Sequence, residues 1–500
     1  MARALARAGT RQVFSLSGNH VMPLFDAALD AKLRLVHVRH EAAAVHMADA
    51  WARLTGEVGV ALVTGGPGHA NAVSALYTAL AAQSPVLLLS GHAPTTELGK
   101  GAFQEMAQAE MAAPACKAAW TVRTADAFGE DIARAMRMAK AGRPGPVHLS
   151  LPSDLLEAGV DLTLPDIGAF QPDPVPPGPD AETLNSLRRA KKPLVVAGPG
   201  FASARRRAAL RAFEEATQVP AIVMESPRGV NDPSLGLLAD VLAAADVVLL
   251  AGKPLDFTLR FGAAFGKSCR VLEAEGVPTP VAGQAWPKSA WLEEVRAAIA
   301  FRPAGWAALG SASSGPLHPA EVGRAVQALL QAPDAVLVAD GGEFGQWAQA
   351  TVTAPHRIVN GVAGSIGAAL PFAAAAKLAM PGATVVAMLG DGTFGFHCSE
   401  FDTAVREGLG YVAVVGNDRC WNAEYQIQLR SYGADRARGL DLLPTRYDRV
   451  AAAFGALGEH VERPAELAPA LARAAGAGSA ACVNVMIERL PAPVYRRPAA

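Results

Sequence analysis

The sequence predicts an α/β protein built from three doubly wound, parallel-sheet domains, and three observations carry that reading. Short apolar runs ("GVALVT", "PVLLLSG", "PLVVAG", "DVVLLAG", "ATVVAMLG", "YVAVVGN") alternate with alanine-rich helical stretches. Strands that are apolar throughout belong in parallel sheets covered by helices on both faces. Two stretches, "PDIGAFQPDPVPPGPD" (165–180) and "PAGWAALGSASSGPLHP" (303–319), replace that alternation with proline, glycine and serine and read as linkers. Finally, 500 residues exceed what one hydrophobic core normally serves. The predicted domains are 1–164, 181–302 and 318–500.

Composition narrows the class of function. With 51% hydrophobic residues, 18% charged and a net charge of −1, the chain lacks the basic excess of a nucleic-acid binder. No apolar run approaches the roughly 18 to 20 residues of a bilayer span, so neither nucleic acid nor membrane is an expected partner. The five cysteines, Cys116, Cys269, Cys398, Cys420 and Cys482, form no C-x-x-C pair. Disulfides and structural zinc are therefore disfavoured, and a cytoplasmic protein is expected.

The first and third domains echo one another. In the first, the helical "EAAAVHMADAWARLTG" leads to the strand "VGVALVT", the turn "GGPG" and a helix from about Asn71. In the third, "GSIGAALPFAAAAKLAMPG" leads to "ATVVAMLG", a "DG" turn and a helix from about Ser399. A duplicated α/β unit leaves this pattern.

Ligands of parallel sheets sit beyond the carboxyl ends of the strands, where helix N-termini favour anions. Asp391, between glycines in "MLGDGTFGF", occupies such an end. Its carboxylate is a hard oxygen ligand for Mg²⁺ or Ca²⁺, and the glycines allow close approach of a phosphate. Asp418, in "VVGND", follows after room for one helix and one strand, so it emerges beside Asp391. Mg²⁺ takes one or two carboxylates and completes its shell with water and phosphates, which makes a metal-bridged diphosphate the expected occupant.

The run from "GDGTFGF" through "SEFDTAVREGLG" to "VVGND" resembles the thiamine-diphosphate motif of the enzymes related to acetolactate synthase, pyruvate decarboxylase and benzaldehyde lyase. The likeness extends over essentially the whole chain and is greatest to acetolactate synthase large subunits. It implies pyrimidine-binding, central and diphosphate-binding domains, with thiamine diphosphate and Mg²⁺ as cofactors. It assigns the metal to Asp391, Asp418 and the backbone carbonyl of Cys420, and the cofactor to Gly390, Gly392, Thr393 and Asn417. Asp418 stands where the family has asparagine, which adds a negative charge and bears on metal choice. "NGVAGSIGAALP" supplies Gly364, whose carbonyl accepts the cofactor's amino group, and Ile366, the apolar wedge beneath it. "ADGGEFGQW" resembles the other diphosphate loop, with Gly342, Glu343 and Phe344 as contacts. "HVRHEAAAVHMADAWAR" resembles the glutamate segment, with Glu41 bonding the pyrimidine nitrogen. Because that glutamate serves a neighbouring subunit's cofactor, a homodimer or homotetramer is implied.

Substrate signals diverge. "SLSGNHVMP" places His20 where benzaldehyde lyase has an active-site histidine, and a histidine shuttles protons near neutral pH. "GAFQEM" resembles the acetolactate synthase loop and brings in Gln104, while Trp421, Asn422 and Tyr425 follow the metal motif where the substrate lid lies. "ADVVLLAGKPLDFTLRFG" is similar to a segment of oxalyl-CoA decarboxylase and 2-hydroxyacyl-CoA lyase. The leading expectation is decarboxylation of a 2-oxo acid with carboligation; the alternative is a lyase acting on a 2-hydroxy ketone or 2-hydroxyacyl-CoA. A non-catalytic cofactor-binding regulator is the reading from another class, and the presence of Glu41 counts against it. No G-x-G-x-x-G fingerprint supports a nicotinamide dehydrogenase. The glycine turn in "LVVAGPGF" makes FAD possible in the central domain but not favoured.

Overall fold

The structure, a computed structural model, describes residues 1–160, 164–171, 181–277, 285–287, 289–312 and 314–495, the side chain of Arg205 excepted. Residues 172–180 of the first predicted linker and residue 313 of the second lie outside the described residues.

Among the described residues, three sheets form and every strand pairing in them is parallel. The first contains β1 (Gln12–Ser15), β2 (Arg34–His37), β3 (Gly59–Val63), β4 (Val86–His92), β5 (Ala118–Thr121) and β6 (Val147–Pro152), in the order β2-β1-β3-β4-β6-β5. The central sheet has β7 (Pro193–Ala197), β8 (Ala221–Val223), β9 (Val247–Ala251) and β10 (Arg270–Ala274), in the order β10-β9-β7-β8. The third holds β11 (Val336–Asp340), β12 (His356–Val359), β13 (Val385–Gly390), β14 (Val412–Asn417), β15 (Leu457–Val461) and β16 (Ala481–Met486). Its order, β12-β11-β13-β14-β16-β15, becomes that of the first sheet when ten is subtracted from each number. The sequence echo therefore extends to the whole strand topology. The inner strands β3, β4, β13 and β14 are buried almost end to end, as their lack of polar alternation requires.

Two helix starts differ from expectation. The first domain's helix runs Pro67–Ala81 and so begins before Asn71, because proline suits a first helical position, where no N–H partner is needed. In the third domain a helix, Asp391–His397, starts on the aspartate itself, ahead of Glu400–Arg406. An acidic residue is favoured in a first turn, where it faces unpaired N–H groups.

The first and third sheets share one core. Helix Glu41–Thr55 packs on helix Ala369–Ala379, and the alanines on both let the backbones approach closely. Arg53 joins them: it donates to both oxygens of Asp49 (2.7 and 2.6 Å) and to the Val359 carbonyl (2.7 Å), with its guanidinium over Phe372. Gln83 fastens the central domain, giving its amide nitrogen to Gly252 O (2.6 Å) and accepting from Gly200 N (3.2 Å). The glycine turn after β7 is thus occupied by a side chain of the first domain. Among the described residues, no helix is long and apolar enough to cross a membrane.

Candidate functional site

A cleft of about 290 Å³ lies at the carboxyl ends of β11, β13 and β14. Asp391, at 4% exposure, turns into it from the start of its helix. One carboxylate oxygen accepts from Gly392 N (2.8 Å) and the other from Cys420 N (3.3 Å). The second bond depends on Arg419, whose left-handed φ of 57° turns the chain so that the Cys420 N–H faces back. Asp418 lines the same cleft. Burial raises the Asp391 carboxyl to about 6, and burial together with the Asp391 charge raises Asp418 to about 7. Two adjoining carboxylates in a partly desolvated pocket repel unless protonated or bridged by a cation. Among the described residues, no group of three or more His, Cys, Asp or Glu side chains could hold a metal ion. A cation here would draw its remaining ligands from backbone oxygen, water or a ligand's phosphates, the habit of a hard divalent ion.

The walls leave room for backbone-lined binding. A side chain at Gly392 would strike the Trp421 ring, its first carbon 2.6 Å away, so only glycine permits the helix start to sit under that indole. Gly341, at φ +96°, lets the opposing loop turn beside Thr393. Asp340, the last residue of β11, fixes both loops: one oxygen accepts from Gly341 N (2.6 Å), the other from Gly367 N and Ala369 N (3.0 Å each). Burial raises its carboxyl to about 6. His397 adds a 2.7 Å bond between Nδ1 and Gly367 O.

Most of the predicted cofactor and metal residues converge here. Gly342, Glu343, Phe344, Gly364, Ile366, Gly390, Asp391, Gly392, Thr393, Asp418, Cys420, Trp421 and Asn422 all line the cleft. Two do not. Asn417 is fully buried with its amide turned away, donating to Thr445 O (3.0 Å) and Asn484 Oδ1 (3.1 Å). Successive side chains at a strand end point to opposite faces, so Asn417 and Asp418 could not both face the ligand. Tyr425 lies one turn further along its helix, under the Arg489 guanidinium (5.2 Å). Sequence reasoning also missed several residues. Asp340 had a legible signal, an acid closing an apolar strand before glycines. Asn360, and Ser226 to Arg228 from the central domain, had none.

Glu41, His20 and Gln104 gather elsewhere, and among the described residues none of the first domain lines the cleft. Glu41 begins the helix after β2 and is 8% exposed. Its Oε2 accepts from Asn71 Nδ2 (3.0 Å), while Oε1 faces Gly68, where an added side-chain carbon would lie 3.2 Å away. His20 Nδ1 is 3.2 Å from Thr64 Oγ1, and its ring stacks on Phe103. Burial lowers the imidazole's affinity for a proton, so it is neutral at pH 7. Gln104 follows Phe103 with a left-handed φ of 57°, its backbone pressed against Gly66. These groups stand at the carboxyl end of the first sheet, as the acids do at that of the third.

A parallel-sheet scaffold with paired carboxylates in a glycine-walled cleft, and a separate glutamate and histidine on a duplicate sheet, is the arrangement of an enzyme that holds a phosphorylated cofactor. Comparison with known proteins gives the family. Residues 1–111 match the N-terminal, and residues 340–485 the C-terminal, thiamine pyrophosphate binding domain of the thiamine pyrophosphate enzymes. The chain is 33% identical to the acetolactate synthase large subunit IlvG of Mycobacterium tuberculosis, over 99% of this chain and 96% of that one. It is 34% identical to the 2-hydroxyacyl-CoA lyase 2 of Homo sapiens (93% and 85%) and 28% identical to the acetolactate synthase large subunit of Parasynechococcus marenigrum (97% and 86%). The chain belongs to the thiamine-diphosphate-dependent enzymes.

Proposed function

We propose that the chain is an acetolactate-synthase-like enzyme that decarboxylates a 2-oxo acid and joins the remaining fragment to a second carbonyl compound. The observation that carries its cofactor chemistry is the pairing of buried Asp391 with half-buried Asp418 in a cleft that glycine backbones line. In this reading the two carboxylates and the Cys420 carbonyl hold Mg²⁺, and Gly342, Glu343, Phe344, Gly390, Gly392 and Thr393 surround the diphosphate. Gly364 and Ile366 meet the rings. When bound, thiamine diphosphate supplies a carbon nucleophile and a sink for the electrons of the broken C–C bond.

Glu41, held by Asn71 through Oε2, meets the cofactor's pyrimidine nitrogen with its other carboxyl oxygen. His20, neutral and anchored on Thr64, exchanges a proton with substrate, and Gln104 orients it, with Trp421 and Asn422 closing the pocket. That no described residue of the first domain lines the diphosphate cleft supports a reading in which Glu41 comes from a second copy. A homodimer is then the smallest active unit and a homotetramer the fuller assembly, with the chain divided at 1–164, 181–302 and 318–500. The five cysteines are all free, which supports a reducing, cytoplasmic setting.

The likeness to 2-hydroxyacyl-CoA lyase 2 and the presence of His20 favour one second reading, a lyase on 2-hydroxy ketones or 2-hydroxyacyl-CoA. Incubating the protein, thiamine diphosphate and Mg²⁺ with pyruvate, a benzoin-type ketone and a 2-hydroxyacyl-CoA separates the two. Release of CO₂ from pyruvate supports the first; aldehyde release without CO₂ replaces it with the second.

A further inference from the structure

A second cleft, of about 370 Å³, opens between the central and third domains and shares no lining residue with the first. One wall is helix Ala204–Thr217 with β8, an edge strand of the central sheet. The other is the stretch 352–357 entering β12, an edge strand of the third sheet.

Its charges are unbalanced. Four arginines line it, Arg207, Arg211, Arg302 and Arg357, against two carboxylates, Glu214 and Glu225. Both carboxylates are already engaged: Glu225 by Arg357 (2.7 Å) and Glu214 by Arg296 (2.8 Å), which lies outside the lining. Arg302 directs its N–H groups at four backbone carbonyls, those of Ser234, Ile299, Phe301 and Ala350. Arg207 has one long bond, to Pro355 O (3.3 Å), and no ion pair within 4 Å among the described residues, though the Glu225 charge that Arg357 engages also acts on it. Arg211 has neither among the described residues. The two sit four apart on one helix and so share a face, where like charges repel unless an anion lies between them. Around them the walls are apolar, with Leu210, Val223, Leu235 and Val352.

We propose that this cleft binds a phosphate monoester with an apolar body, its dianionic head between Arg207 and Arg211. Arg211, without an ion pair among the described residues, and Arg207, which shares the single charge of Glu225 with Arg357, leave an excess of positive charge that suits a dianion, and their planar donor forks match phosphate oxygens in geometry. The volume lies within the range of small-molecule sites, roughly 300 to 1,000 Å³. The aliphatic walls take the rest of the molecule.

The test is calorimetric titration of the full-length protein, saturated with thiamine diphosphate and Mg²⁺ so that the cofactor cleft is blocked. Phenyl phosphate is the probe and phenol the uncharged control. One phenyl phosphate is expected per chain and no phenol, with Arg207→Ala and Arg211→Ala each weakening binding by roughly tenfold. Arg211 is exposed and bonded to nothing described, so its variant keeps the fold, and an unchanged affinity for thiamine diphosphate verifies this. Absence of saturable binding below about 10 mM, equal binding of phenol, or full affinity in Arg211→Ala overturns the proposal.

Discussion

The first and third sheets have one strand order and opposite equipment at the same end. The third ends in acids and glycines, with Asp340, Asp391 and Asp418 around a cleft. The first ends in Glu41, His20 and Gln104, a set of hydrogen-bonding groups. The difference teaches that the scaffold fixes where a ligand goes and the turn residues fix which end of it is held. Helices Glu41–Thr55 and Ala369–Ala379 join the two domains through their flanks.

The comparison breaks most severely at Asp391. Asp391→Ala removes a buried carboxylate and leaves Asp418 unmatched, so affinity for thiamine diphosphate in the presence of Mg²⁺ should fall more than roughly 100-fold. Titration calorimetry checks this, and wild-type affinity would move the metal elsewhere.

The proposed division of labour between copies gives the next effect. Glu41→Gln should retain the cofactor yet slow exchange of the thiazolium proton by roughly 10² to 10⁴, read by deuterium exchange in NMR. If two copies share each site as proposed, mixing that variant with Asp391→Ala regenerates one intact site in each mixed dimer. Half the dimers are mixed and one of their two sites is whole, so about a quarter of wild-type activity should return. No recovery after subunit exchange would confine each site to one chain.

A smaller effect separates the two ends by pH. Asp391 and Asp418 are raised to about 6 and about 7, so in the metal-free protein protons compete with Mg²⁺ through that window. Mg²⁺ affinity should therefore rise between pH 6 and 8, and Asp418→Asn should flatten the rise. The sign for stability is the reverse. Folded values above the unfolded 3.8 mean that the metal-free protein is stabilised by these groups below pH 4 and loses that stability as pH climbs through 7. Denaturant melts at pH 6 and 8, with and without Mg²⁺, measure both.

The smallest change falls outside both ends. Gln83→Ala unfastens the central domain from the first and should cost about 1 to 3 kcal/mol in denaturant unfolding, leaving cofactor affinity unaltered.

Much of this site was legible as residues at strand ends. "GDG" and "VVGND" announced themselves because an acid after an apolar run, beside glycine, has few uses in a core. The same logic applied to "VLVADGG" would have found Asp340, which holds backbone N–H groups instead of facing the ligand. Asn417 misled because adjacency in sequence reverses direction in a strand. Ser226, Pro227 and Arg228 enter the cleft from another domain, a placement that no local pattern encodes.

The chain's periodicity and punctuation determined by themselves the parallel sheets, the duplicated unit and the acids at its turns, since each depends on neighbours a few residues away. Which helices face each other, which side chain fills the glycine turn after β7, and which arginines were left without partners depend on contacts between residues hundreds of positions apart. Tertiary packing alone decided those, because burial and charge pairing follow from what surrounds a side chain in space.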